Sequence, residues 1–261
     1  MGDIKVEFSV QMRGEHCAER VRNVLQGTSK VDIDSSEGRV TIETKEPWYV
    51  IKDKIESTGR KAVLVGFGGQ SAVAIISTTG SDDDRTPIRG ILRFCALTKD
   101  NPGVVVDGVV DGLTPGLHGL HVHESGDVSS GCASIGEHYN PRGSPHGSPD
   151  NAPDSRHAGD LGNIRADESG RATFRFVDPV LAVWDIIGRS VAITANADDL
   201  GRGGNEQSRI DGNAGERIAC GIIARSAGIM ENFKKICACD GVTLWDERNK
   251  PIAGGNRAQK L

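Results

Sequence analysis

The stretch LHGLHVHESGD at residues 117–127 carries three of the seven histidines in this chain. His121 and His123 are two residues apart, so on a β-strand both side chains point to the same face. A metal ion on that face could bind both imidazoles. The residues from Glu124 to Asp160 are nearly all turn formers. A loop of that length inside a compact domain needs something to organise it.

Ligand-type residues recur inside this loop. Six of the seven histidines lie between residues 118 and 157, and scattered surface histidines would not cluster so tightly. Imidazole and carboxylate groups are the ligands that zinc takes in tetrahedral sites. A solvated polar loop is the alternative interpretation. We favour a metal site, with candidate ligands His138, His146, His157 and Asp160.

The pattern around the loop predicts three regions. Residues 71–224 alternate short apolar runs with clusters of Gly, Pro, Asn and Asp, which is typical of an all-β sandwich or barrel. Residues 1–70 read as a β-α-β-β-α-β unit, an α+β arrangement of the ferredoxin-like type. We expect its strands at 4–10, 31–34, 39–44 and 62–67, and its helices at 17–25 and from Pro47 to Gly59. A linker is expected at 68–71, and residues 225–261 are expected to form a flexible tail.

Charge and hydropathy exclude two classes of function. The net charge is −5, and residues 71–224 carry 13 basic against 21 acidic side chains. Such a surface repels phosphate, so we expect no nucleic-acid partner. Apolar runs of membrane-span length and a secretory hydrophobic region are both missing from the sequence. We therefore expect no membrane span and a cytoplasmic location.

Two of the six cysteines stand one residue apart in a polar stretch, at Cys237 and Cys239. A disulfide closed over one intervening residue is strained. The pair is therefore interpreted as a soft-metal site or an exchanging thiol pair, the alternative being unpaired thiols in a disordered tail. Cys95 alternates with apolar residues on a predicted strand and is interpreted as a small buried hydrophobe.

Five motifs follow one another through residues 118–223: HGLHVHESGD, GCASIGEHYNP, HAGDLGN, ADDLGRGGNEQS and GNAGERIACGII. Together they resemble the Cu,Zn superoxide dismutases. That resemblance implies a Greek-key barrel with zinc bound by His138, His146, His157 and Asp160. It also implies that His121 and His123 bind copper, that His138 bridges the two metals, and that Cys132 and Cys220 form a disulfide. Three further roles are implied: Arg217 guides an anionic substrate, Asp198 links the two metal sites, and His118 is structural.

One position departs from the dismutase pattern. Thr194 stands where that family places its fourth copper-binding histidine, and threonine is a poor ligand for copper. The site at His121 and His123 is therefore expected to be vestigial. We expect dismutase activity to be absent or weak, so that the chain is not an enzyme.

The resemblance extends to both ends of the chain. A heavy-metal-associated domain, a dismutase-like domain and the tail ICACDGVTLWDERNKPIAG at residues 236–254 together resemble the family of copper chaperones for superoxide dismutase. This implies a metallochaperone that delivers Cu(I) by transient heterodimerisation with a Cu,Zn superoxide dismutase docked on residues 72–224. Cys237 and Cys239 would transfer copper and promote the client's intrasubunit disulfide. Zinc would be structural, and Cu(I) would be a transient cargo. A homodimer is a further alternative, and the resemblance names no copper donor.

The amino-terminal motif is incomplete. Heavy-metal-associated domains bind copper through Met-x-Cys-x-x-Cys, but MRGEHC at residues 12–17 has Gly14 in place of the first thiol. A single thiolate at Cys17 binds Cu(I) less strongly than two. We expect a weak or vestigial copper site, with the domain serving folding, positioning or partner contact. Two other hypotheses are a divergent dismutase with appendages and a zinc-stabilised binding domain without copper traffic.

Overall fold

The computed structural model describes residues 4–28, 30–78, 87–97 and 103–229. These residues form two compact units. One unit holds Gln70–Ser226, and the other holds the described residues up to Gly69 together with 227–229. Cys237 and Cys239 lie outside the described residues, as does most of the predicted tail.

The amino-terminal unit is an antiparallel sheet with two helices. Its sheet order is β2-β3-β1-β4, and each pairing is antiparallel. Alternate residues of the central strand, Val6, Phe8 and Val10, are buried. The ferredoxin-like prediction is confirmed. The elements are β1 (Ile4–Val10), α1 (Glu15–Val24), β2 (Lys30–Asp34), β3 (Arg39–Thr44), α2 (Trp48–Glu56) and β4 (Ala62–Phe67).

Both helices begin at positions that differ from the sequence prediction. Helix α1 starts two residues before Cys17, because the carbonyl of Gly14 accepts the amide of Cys17 at 3.0 Å. Pro47 was predicted to be the first residue of α2, and this was wrong. Its ψ of 142° is extended, and it is the N-cap. The carbonyl of Pro47 accepts the amides of Val50 and Ile51, so the helix itself begins at Trp48.

The second unit is a closed β-barrel in the order β10-β11-β7-β6-β5-β13-β12-β8. This confirms the all-β prediction, although Ser71 belongs to the first barrel strand rather than to a linker. The elements are β5 (Ser71–Ser77), β6 (Arg89–Ala96), β7 (Val104–Asp111), β8 (Gly116–His123), β9 (Ser129–Cys132), β10 (Asp160–Ala166), β11 (Ala172–Asp178), α3 (Val183–Ile186), β12 (Ser190–Thr194), α4 (Glu206–Asp211) and β13 (Arg217–Arg225).

Strand β8 separates the barrel core from the histidine cluster. Leu120 and Val122 belong to the core inside the barrel. His121 and His123 alternate with them and face the other side, yet both are fully buried. The long loop covers them, because the amide of Tyr139 donates to the carbonyl of Val122 at 2.8 Å and the carbonyl of Gly159 accepts from the amide of Val122 at 2.9 Å.

No helix among the described residues is long and apolar enough to cross a membrane.

Candidate metal centre

Four buried side chains converge within the long loop. The Nδ1 atoms of His138, His146 and His157 lie 2.9, 3.0 and 3.2 Å from Oδ1 of Asp160. The four ligand-type atoms all lie within 4.8 Å of one another. Tetrahedral zinc bonds of about 2.0–2.1 Å place neighbouring donor atoms roughly 3.3 Å apart. The spacing of these atoms therefore fits a zinc ion.

The hydrogen bonding of two histidines also fits a cation. Nδ1 of His146 and Nδ1 of His157 are buried without a hydrogen-bond partner in the described structure. Nε2 of His146 donates to Oδ1 of Asp198 at 2.8 Å, which leaves the lone pair of the neutral ring on Nδ1. A buried lone pair facing a carboxylate oxygen is unfavourable unless a proton or a metal ion lies between them.

The titration of His146 points to the same conclusion. Burial opposes a charge on this ring, but the close contact of Asp160, the hydrogen bond with Asp198 and the charges of both carboxylates outweigh it and raise the pKa of His146 to about 9. A cation at Nδ1 satisfies the same two carboxylates as a proton does. Metal binding at this position therefore displaces a proton.

Backbone amides orient the carboxylate of Asp160. Its Oδ2 accepts the amide of His157 at 2.8 Å and the amide of Gly147 at 3.1 Å. Gly147 permits this approach, because a Cβ there would lie 2.4 Å from the carbonyl oxygen of Ser155. Burial alone would raise the pKa of Asp160, but its hydrogen bond with His138 and its close contacts with His146 and His157 hold it well below the usual value. The carboxylate of Asp160 is thus ionised, and its Oδ1 offers a lone pair toward the histidines.

A fully buried ion pair holds the end of the loop, and sequence reasoning missed it. The guanidinium of Arg156 donates to the carbonyl of Asp160 and to the carboxylate of Asp178. The other carboxylate oxygen of Asp178 accepts the amides of Val180 and Leu181 at 2.8 and 2.7 Å. The two charged residues are 22 positions apart, so no local spacing signals the pair. It fixes the backbone from which Asp160 projects.

Asp198 joins the zinc-type cluster to a second group of donors. Its Oδ2 accepts Nε2 of His121 at 2.9 Å, and its Oδ1 accepts Nε2 of His146 at 2.8 Å. Burial would raise the pKa of Asp198, but these two hydrogen bonds lower it to about 2. Gly212, with φ of 72°, lies so close that a Cβ would overlap Oδ1 of Asp198. The link expected from the dismutase resemblance is present in the geometry.

The second group retains three imidazoles. The ring of His138 stacks on His121 at 4.0 Å and lies 5.1 Å from the ring of His123. Nδ1 of His121 and Nε2 of His123 are buried without a hydrogen-bond partner in the described residues, while Nδ1 of His123 donates to the carbonyl of Gly136 at 3.0 Å. Burial, His138 and Arg217 hold the pKa of His123 well below its usual value. His123 is therefore neutral and presents a lone pair.

Thr194 does not complete this group. Its hydroxyl lies 3.0 Å from the carbonyl oxygen of Asn196 and 3.3 Å from that of Gly119. The hydroxyl therefore donates its hydrogen bond to the backbone. The carbonyl of Thr194 accepts Nδ1 of His118 at 2.8 Å, and Nε2 of His118 lies 2.8 Å from the carbonyl of Thr114. Both nitrogens of His118 contact the backbone, which agrees with a structural role.

The described cysteines divide into one disulfide and two free thiols. Cys132 and Cys220 form a disulfide with a Cα–Cα distance of 5.8 Å, which confirms the expected pairing and ties β9 to β13. Nη1 of Arg217 donates to the carbonyl of Cys132 at 3.3 Å, beside an open pocket of about 800 Å³. Cys95 is a buried free thiol, and burial raises its pKa to about 12, as expected for an inert core residue.

Cys17 is free and buried at the start of α1. In the described part of the chain, the metal-type clusters are the two built around Asp160 and Asp198. Neither contains Cys17. The neighbouring His16 is exposed, and Gly14 has a φ of 106° that side-chain-bearing residues rarely adopt.

Comparison with known proteins covers both units. The family model for copper/zinc superoxide dismutase matches residues 88–223, and that for the heavy-metal-associated domain matches residues 7–61. Similar proteins named copper chaperone for superoxide dismutase occur in Homo sapiens, at 48% identity, and Sus scrofa, at 47%. Each match covers 97% of this chain and 92% of the relative.

A more distant relative from Arabidopsis thaliana is named copper chaperone for superoxide dismutase, chloroplastic/cytosolic. It is 32% identical over 95% of this chain and 72% of its own length. Among solved structures, the clock protein EA4 is similar with a TM-score of 0.53 and 41% identity. The match covers 59% of this chain and 93% of that one.

The buried ion pair yields a stability prediction. Asp178→Asn leaves the fully buried guanidinium of Arg156 without its counter-charge, and we expect a loss of about 3–5 kcal/mol in the free energy of unfolding of the barrel. Urea denaturation measures this. Asp111→Asn is the matched control, because its pair with Arg171 is more than half exposed and should be worth less than about 1 kcal/mol. Equal losses in the two variants would contradict the role given to Arg156.

Proposed function

The chain belongs to the family of copper chaperones for superoxide dismutase, and on that premise we propose that it delivers Cu(I) to a Cu,Zn superoxide dismutase and promotes formation of the client's intrasubunit disulfide. The observation that carries the proposal is the similarity to chaperones of that name along 97% of the chain. Copper and zinc binding are expected from both matched domain families. In the proposal, Cu(I) is the cargo and zinc is resident.

Zinc is assigned to the donor set around Asp160, namely His138, His146, His157 and Asp160. The convergence of three Nδ1 atoms on one carboxylate oxygen supports this assignment. A bound zinc ion supplies the positive charge that this carboxylate and the unpartnered histidine nitrogens require. The chain's own residues then hold the long loop over β8. In this assignment His121 and His123 remain as a vestigial copper site.

Docking of the client is assigned to an apolar patch of Ile75, Ile187 and Ile222, which are 60%, 40% and 44% exposed. The register of β5 against β13 places Ile75 across from Ile222. The amide of Gly188, next to Ile187, donates to the carbonyl of Ile223 at 2.8 Å, so the third residue lies beside the other two. Exposed apolar clusters of this kind mark protein contacts.

A dismutase subunit is the proposed occupant of the apolar patch. Residues 88–223, which include most of this barrel, match the dismutase family model, so a client subunit can present a similar face and pair with it as in an isologous dimer. The same argument permits a homodimer of this chain when no client is present. Association with the client would then compete with self-association.

Copper transfer is assigned to Cys237 and Cys239. Cu(I) prefers soft thiolates in low coordination, and two neighbouring sulfur atoms provide that environment. Transfer moves the ion from these sulfurs to the empty histidine site of the docked client. The buried thiol of Cys95, with its raised pKa, is unsuited to the task because the thiolate is the metal ligand.

Disulfide formation in the client follows from the same pair of thiols once dioxygen has oxidised them to each other and is itself reduced to hydrogen peroxide. A disulfide closed over one residue is strained and easily reduced. A client thiolate attacks one tail sulfur to form a mixed disulfide, and the second client thiolate then displaces it. Two electrons pass from the client's dithiol to the tail's disulfide, so the client is oxidised to a disulfide and the tail is reduced to a dithiol.

The amino-terminal domain is assigned a minor part in copper binding. Cys17 supplies one thiol, and Gly14 supplies none. A single thiolate binds Cu(I) less strongly than the tail pair. We assign the complex to the cytoplasm, because a reducing compartment keeps such thiols available for metal.

The tail thiols give the decisive test of this function. We mix the protein with a metal-free dismutase and Cu(I), then measure dismutase activity and the disulfide-linked heterodimer on a non-reducing gel. The double variant Cys237→Ser, Cys239→Ser is expected to lose both signals, since no thiolate remains to transfer copper or to form the mixed disulfide.

Two comparisons make this result specific. Cys17→Ala serves as the matched thiol control and should retain most of the client activation. The double variant should still form a non-covalent complex by size-exclusion chromatography, because the apolar patch is unchanged. Client activation that is unaltered in the double variant would favour a zinc-stabilised binding domain without copper traffic.

A divergent dismutase is the second candidate, favoured by the three imidazoles retained at His121, His123 and His138. Thr194→His is expected to supply the fourth ligand and raise superoxide turnover of the copper- and zinc-loaded protein by at least tenfold. Thr194→Ala, which adds no ligand, should give no gain. Strong turnover by the unaltered protein would reverse the ranking of the two functions, and no gain from histidine would mean that other positions also block dismutation.

A further inference from the structure

The residues that follow the barrel extend the amino-terminal sheet. After β13 ends at Arg225, residues 227–229 run beside β4, and Gly228 forms a parallel bridge with Phe67. The amide of Phe67 donates to the carbonyl of Ala227 at 3.4 Å, and the amide of Ile229 donates to the carbonyl of Phe67 at 3.1 Å. Both partners belong to the same compact unit. Strand β4 is the last strand in the sheet order β2-β3-β1-β4, so residues 227–229 occupy its edge.

Gly66 allows β4 to make this contact. A Cβ on Gly66 would lie 2.5 Å from the carbonyl oxygen of Gly228, 2.9 Å from its carbonyl carbon and 3.3 Å from the nitrogen of Ile229. These are the three nearest atoms, and all belong to the added segment. A Cβ on Gly68, just after β4, would lie 2.5 Å from Cβ of Lys5 and 3.3 Å from Cδ1 of Ile229, so Gly66 is the position specific to the added segment. Glycine within a strand weakens the strand but allows another backbone to approach closely, which is the use made of it here.

We propose that the glycine-bearing edge of β4 is an anchoring site for residues 227–229, the segment that leads into the carboxyl-terminal thiols. This inference rests on the proposed function only in giving those thiols their role. The mode of attachment is β-strand addition, in which main-chain hydrogen bonds hold an extended segment on an open sheet edge. The occupant is this chain's own segment rather than a strand of a partner.

The anchor limits where the thiols can act. Cys237 follows Ile229 by eight positions, and an extended chain spans at most about 3.3–3.6 Å per residue. While residues 227–229 stay on the β4 edge, the chain between Ile229 and Cys237 can therefore span at most about 29 Å. This gives the amino-terminal domain a positioning role that does not require the thiol absent at Gly14. Main-chain hydrogen bonds at a sheet edge can open locally, so the segment can also leave the edge.

Hydrogen exchange of the full-length protein tests the anchor directly. The amide of Ile229 should exchange about tenfold or more slowly than in an unstructured chain. Gly66→Ala should remove this protection, because the added methyl group overlaps Gly228. The amides that join β1 to β3 should keep theirs, since the nearest atoms around that methyl belong to the added segment alone. Gly204→Ala is the matched control, with no atom within 4 Å of its Cβ.

A second variant approaches the same contact from the other side. Ile229→Pro removes the amide that donates to Phe67, and it should expose the amide of Phe67 to exchange while β1 and β3 stay protected. Exchange of the Ile229 amide at the unstructured rate in the unaltered protein would overturn the proposal. So would undiminished Ile229 protection in Gly66→Ala. The measurement uses neither copper nor client, so its failure is separable from a failure of copper delivery.

Discussion

The barrel's long loop depends on one carboxylate oxygen that three imidazoles face. The Nδ1 atoms of His138, His146 and His157 lie within 3.2 Å of Oδ1 of Asp160. Oδ2 of the same carboxylate accepts hydrogen bonds from two backbone amides. The residues from Glu124 to Gly159 have few apolar side chains to bury, so packing alone does not fix their path. In the proposed zinc assignment, a cation shared by the histidines would link distant points of that path and hold the loop over β8.

The same cluster explains why the barrel does not compete for copper in our account. Asp198 connects His146 of the zinc-type set to His121 of the second set, so the same framework holds both sets of imidazoles. Three imidazoles remain there, but the hydroxyl of Thr194 is directed at backbone carbonyls. In this account, the soft sulfur ligands at Cys237 and Cys239 bind Cu(I) more favourably than the three imidazoles do.

Periodicity and ligand chemistry made much of this predictable from sequence. The alternation of β8 placed His121 and His123 on one face, and the turn-rich loop pointed to the four ligand-type side chains that the structure brings together. The disulfide and the carboxylate link of Asp198 came from family resemblance. The partner of Arg156 could not be predicted, because a buried pair between residues 22 positions apart leaves no periodic trace. The strand added at Phe67 was missed for a similar reason, since edge pairing is decided by tertiary contacts.

Zinc binding by matched aspartate variants tests the central claim most directly. Metal-free protein is titrated with zinc against a chromophoric chelator, for the unaltered chain, Asp160→Asn and Asp154→Asn. The account predicts one tight site per chain, a loss of more than about 100-fold in affinity for Asp160→Asn, and no change for Asp154→Asn, whose side chain is 90% exposed in the same loop. Equal zinc affinity in all three proteins would contradict the account.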